Sequence, residues 1–97
     1  MALCSVRVAV VKREIEGAID EIASSYVTPQ FTVSLRKVLS RRPWLEKCAS
    51  YSMLGWLLHE VVEDVVRRGK YELVESLAAP YSGHSKRRYV LRKDPRR

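Results

Sequence analysis

Near the start of the chain, apolar residues recur at Val8, Val11, Ile15, Ala18, Ile19, Ile22 and Tyr26, the spacing of one helical face. Glu14, Glu16, Asp20 and Glu21 fall off that stripe. The pattern predicts a helix over residues 6–25, with Ser5 as its cap and Ser24 and Ser25 at its frayed end. Val6, Val8 and Val10 also alternate, which leaves a short preceding strand open. Phe31, Thr32 and Val33 read as a short strand. A second helix is expected over residues 34–42, with Leu35, Val38 and Leu39 inward and Arg36, Lys37 and Arg41 outward. Pro43 ends it, because the residue before a proline is biased away from helical geometry. Trp44 and Leu45, in the turn that follows, are expected to plug back into the core.

The third helix carries the clearest local signals. Ser50 or Ser52 caps its start, and Gly69 stops it just after Arg67 and Arg68, whose charges suit the negative end of the helix dipole. At about 100° per residue, Met53, Leu54, Leu57, Leu58, Val61, Val62 and Val65 cover one broad face. The opposite face gathers Ser52, Trp56, His59 and Glu63, with Gly55 beside them. Beyond Gly69 the period changes to strand-like alternation at Tyr71 and Leu73, and again at Tyr89 and Leu91. Pro80, Ser82 and Gly83 lie between, so residues 71–77 and 87–93 are expected to form an antiparallel hairpin with a long loop. Nothing argues for order in residues 94–97.

Composition narrows what such a chain does. Its 97 residues suit one small domain, residues 1–93, and 46% hydrophobic content excludes wholesale disorder. No apolar run approaches the roughly 18 residues of a membrane span, and no secretion signal pattern opens the chain, so a cytoplasmic protein is expected. The net charge of +7 is concentrated in two islands. Arg36, Lys37, Arg41, Arg42 and Lys47 face Glu46 alone; Lys86, Arg87, Arg88, Arg92, Lys93, Arg96 and Arg97 face Asp94 alone. A phosphate track needs such local positive field. Cys4 and Cys48 are too few and too far apart for a zinc site, a disulfide between them would be unusual in an ordinary cytosol, and two buried or idle thiols are expected. No phosphate loop, HExxH pair or nucleophile elbow is present, so no enzyme, cofactor or metal and no small-molecule ligand is expected.

The element order, together with Val65-Val66-Arg67-Arg68-Gly69-Lys70-Tyr71 and the returning Arg88-Tyr89-Val90-Leu91, resembles the winged helix-turn-helix superfamily over residues 6–93. The resemblance implies an α+β fold of three helices and a C-terminal hairpin wing. It further implies a small transcriptional regulator that docks on double-stranded DNA, the second helix crossing the backbone and the third set against the major groove. By residue, it assigns phosphate contacts to Arg36, Lys37, Arg41 and Arg42. Ser50, Ser52, Trp56 and His59 fall to the third helix, and His84, Lys86, Arg87 and Arg88 to the wing. A homodimer through the first helix is expected, because Val8, Val10 and Val11 point to different sides. Two features depart from the superfamily. The stretch of residues 43–49 exceeds a simple three- to four-residue turn, and the third helix has no Lys or Arg before Arg67. The competing reading is a winged-helix module that binds protein through Trp56 and the apolar face around Val62 and Val66.

Overall fold

A computed structural model describes residues 7–77 and 86–93. The elements are α1 (Val8–Ser25), β1 (Gln30–Ser34), α2 (Leu35–Arg41), a 3-10 turn (Pro43–Lys47), α3 (Tyr51–Arg67), β2 (Tyr71–Leu77) and β3 (Arg88–Lys93). Together they make a compact α+β fold of three helices and one antiparallel sheet in the order β1-β3-β2. The expected Ser5 cap, the loop residue His84 and the tail residues 94–97 lie outside the described residues.

Local chemistry accounts for most boundaries. Ser34 ends β1 and caps α2, its hydroxyl accepting from the Lys37 N–H at 3.3 Å. Ser50 does the same for α3, accepting from Met53 N–H at 3.2 Å, so Ser50 and not Ser52 is the cap. Gly69 adopts φ 79°, a left-handed conformation that side-chain-bearing residues resist, and this turns the chain from α3 into β2. The first helix starts at Val8 and no side chain caps it.

The core lies between the helices and the inner face of the sheet. Ile15, Ile19, Phe31, Leu45, Leu54, Leu58, Tyr89 and Leu91 are fully enclosed, each aliphatic side chain contributing about 1.5–3 kcal/mol by leaving water. The register sets Phe31 opposite Leu91 and Val33 opposite Tyr89, so one face of the central strand fills the core. Residues between them, Thr32, Arg88, Val90 and Arg92, point to the outer face. A bulge between Leu73 and Glu75 leaves Val74 out of register on the edge strand.

Several expected placements need correction. Met53 is 49% exposed and Gly55 is buried, because α3 presents its Leu54–Leu58–Val62 side to the core and so turns Met53 out. Leu45 enters the core, whereas Trp44 stays 40% exposed: a single short turn aims only one of two neighbours inward. Of the valines opening α1, Val11 is buried in the core, Val10 is half-buried and Val8 is exposed. Cys48 is disulfide-bonded rather than an idle thiol. Among the described residues, no helix is long and apolar enough to cross a membrane, and no group of three or more potential ligands is placed to hold a metal.

Candidate nucleic-acid interface

The two basic islands meet on one side of the fold. Because β1 runs directly into α2, and because β1 pairs with β3, the register puts Arg88 opposite Ser34, the residue that caps α2. Arg36 and Lys37 follow within the first turn of that helix. A cleft of about 570 Å³ results, with Arg36, Lys37, Lys86 and Arg88 along it and Tyr51, at the start of α3, closing one side. Thr32, Ser34 and Leu35 complete the lining, so among the described residues no carboxylate lines the cleft. Arg36, Lys86 and Arg88 are exposed and have no ion-pair partner among the described residues. Such an arrangement repels itself unless an anion enters.

Lys37 is more tightly held than its neighbours. Its Nζ donates to Tyr26 Oη at 2.6 Å and to the Thr32 carbonyl at 3.0 Å. That hydrogen bond outweighs burial and brings the Tyr26 phenol below its ordinary pKa. Lys37 therefore adds positive field to the cleft from a fixed position.

The remaining basic candidates serve other contacts. Arg42 lies across α1, 17% exposed, with Nε 2.9 Å from Glu14 and Nη2 2.7 Å from Glu21. Gly17 makes room for it, since a Cβ there would stand 3.2 Å from Arg42 Nη2. The hydrogen bond to Glu21, with that to Glu14, outweighs burial and raises the Arg42 pKa further. Arg41 is exposed, 3.7 Å from Glu21, and does not line the cleft. Arg87 is half-buried and donates from Nη1 to Ser76 Oγ at 2.9 Å.

The outward face of α3 is only partly open. Ser50 and Ser52 are exposed, and Trp56 is 46% exposed with its ring 5.8 Å from that of His59. His59 is half-buried, with Nδ1 3.3 Å from Tyr89 Oη and Nε2 3.3 Å from Glu63. Glu60 pairs with Lys12 at 2.7 Å, and Asp64 with Arg67 and Arg68 at 2.9 Å. The carboxylates that the sequence leaves beside this helix are thus largely matched by cations.

Tyr51 is the cleft residue that pattern reasoning did not single out. Its signal was its position immediately after the Ser50 cap, where a first-turn side chain stands at the mouth of the helix. No family model, curated protein or solved structure matches the chain.

Proposed function

We propose that the protein is a winged-helix module that binds double-stranded DNA through the cleft between α2, the start of α3 and β3. The observation that carries this reading is the convergence of Arg36, Lys37, Lys86 and Arg88, from two distant stretches of chain, with no carboxylate among them. A row of cations of this kind suits successive phosphates, whose neutralisation releases condensed counterions and drives association. The order of elements, with a hairpin returning β3 between β1 and β2, supports the winged-helix likeness. In this arrangement Ser50 and Ser52 stand at the end of α3 that faces the duplex, as hydroxyl donors to phosphate.

The test is binding of a mixed-sequence duplex, followed by fluorescence anisotropy across a salt series. Replacing Arg36, Lys86 and Arg88 together with Ala should weaken binding and flatten the log–log salt slope by about 0.9 for each lost phosphate contact. A triple variant with the parent's affinity and slope would remove the proposal.

One observation favours a second reading. Trp56 and Met53 are 46% and 49% exposed on α3, and aromatic residues commonly anchor protein interfaces. In that reading the same fold docks a protein partner through this face.

A further inference from the structure

We infer that the protein holds duplex DNA by its phosphates and shape without selecting a base sequence, an inference that rests on the DNA-binding reading of the cleft. Base selection requires hydrogen-bonding side chains that reach base edges, chiefly Arg or Lys to guanine and Asn or Gln to adenine. The helix available for that task offers almost none. Between Tyr51 and Val66, α3 contains no Arg, Lys, Asn or Gln. Arg67, its only such residue, lies in its last turn and is held by Asp64 at 2.9 Å. His59 has Tyr89 at one ring nitrogen and Glu63 at the other. The chain has no Asn at all, and its single Gln, Gln30, sits at the start of β1, at the opposite end of that strand from Ser34.

What remains on the outward face of α3 is tolerant chemistry. The Ser52 hydroxyl donates or accepts and so suits any base or a phosphate. The Trp56 indole N–H is taken up by a hydrogen bond to Glu60, and its exposed ring is left for apolar contact, the strongest selective use of which is a thymine methyl. Glu63, already 3.3 Å from His59, repels phosphate and sets a limit on how closely the C-terminal half of α3 approaches the backbone. The cations that attract DNA lie instead on α2, on β3 and just before it, off the reading helix. Contacts of that kind fix the position and orientation of a protein on the duplex and carry no sequence information. A module of this composition fits a packaging or architectural role on DNA better than attachment to one operator.

Selection from a random pool tests the inference directly. The full chain is incubated at low salt with duplexes containing a randomised central segment of about 20 base pairs, a span of roughly two helical turns. Retained duplexes are amplified through several rounds and sequenced. The expected result is retention with no position enriched more than about twofold. The final pool should bind within about threefold of the starting pool, because one good bidentate base contact alone would give about fivefold to over a hundredfold. The salt slope on the unselected pool should be near about −3, as three or four phosphate contacts require. Retention with a defined motif enriched more than tenfold overturns the inference and leaves the DNA reading intact. Failure to retain any duplex overturns both.

Discussion

Two clusters of cations in this small fold are built from the same residue types and behave in opposite ways. Where α1 meets the end of α3 and the start of β2, Arg68 and Lys70 each have two carboxylates beside them. Lys70 lies 2.7 Å from Glu16 and 2.9 Å from Asp20, and Arg68 lies 2.8 Å from Glu16 and 2.9 Å from Asp64. Tyr71 adds a hydrogen bond from its hydroxyl to Asp20 at 2.6 Å; burial, with that bond, raises its phenol pKa well above the ordinary value. In the cleft, Arg36, Lys86 and Arg88 face one another and Lys37 with no carboxylate among the lining residues. The first cluster ties together elements far apart in sequence. The second adds repulsion to the folded chain, which an anion from outside relieves. Charge count alone does not separate the two; the pairing does.

Two arginines that the sequence treats as equivalent should respond in opposite ways to the same substitution. Arg42→Met should leave duplex affinity within about twofold and lower stability by about 1 kcal/mol, because Glu14 loses Arg42 and Glu21 keeps only the more distant Arg41 at 3.7 Å. In a domain of this size that is roughly 4–8 °C in the thermal midpoint. Arg88→Met should do the reverse, weakening binding severalfold at moderate salt while the midpoint holds or rises. Calorimetry and anisotropy on the two variants read both effects. If Arg42→Met abolishes binding with its fold intact, the division into structural and ligand-facing cations is wrong.

A smaller effect sharpens the structural side. Burial lifts the Glu16 carboxyl pKa, but hydrogen bonds from Lys70 and Arg68 outweigh it, so the pKa lies below the ordinary value. A carboxyl whose folded pKa is depressed contributes stability that is complete above its unfolded pKa and is lost as pH falls through the folded one. Glu16→Gln should therefore be less stable than the parent at neutral pH, by less than about 1 kcal/mol given its solvent contact. The gap should close below about pH 4, near and under the ordinary carboxylate range. Urea melts at neutral and acid pH measure it. An equal gap at both would mean that the lost interaction is not the charge.

The smallest expected effect concerns Trp56. If the duplex is held from the cleft, Trp56→Ala should change pooled duplex affinity by less than about threefold, an apolar contact being worth little to a phosphate track. A loss above tenfold with an unchanged melting curve would move the binding face from the cleft to the middle of α3.

Local signals were legible along the chain wherever a residue acts on its immediate neighbours. The cap at the start of α3, the Gly69 turn, and the inward alternation of Tyr89 and Leu91 follow from backbone chemistry over a few residues, whereas Ser34, expected as the first residue of the second helix, ends β1 and caps α2 instead. Edges of the apolar stripes were less legible, as Met53 and Gly55 illustrate: the rotation of α3 about its axis is set by what packs against it. The candidate site was legible as two basic islands, and four of its lining residues, Arg36, Lys37, Lys86 and Arg88, were readable as cations.

What the sequence could not contain is their meeting. The strand order β1-β3-β2 brings β3 beside β1, and the pairing of Ser34 with Arg88 brings the second basic island to the head of α2. The same tertiary arrangement carried Arg42 across α1 to Glu14 and Glu21, 28 and 21 residues away, and removed it from the cleft. Sequence by itself determined the order and approximate extent of the helices and strands, and how much positive charge the chain carries, because these depend on neighbours or on totals. Which cations are neutralised and which are left facing an open cleft depends on long-range pairing of strands and helices, and only the tertiary structure decided it.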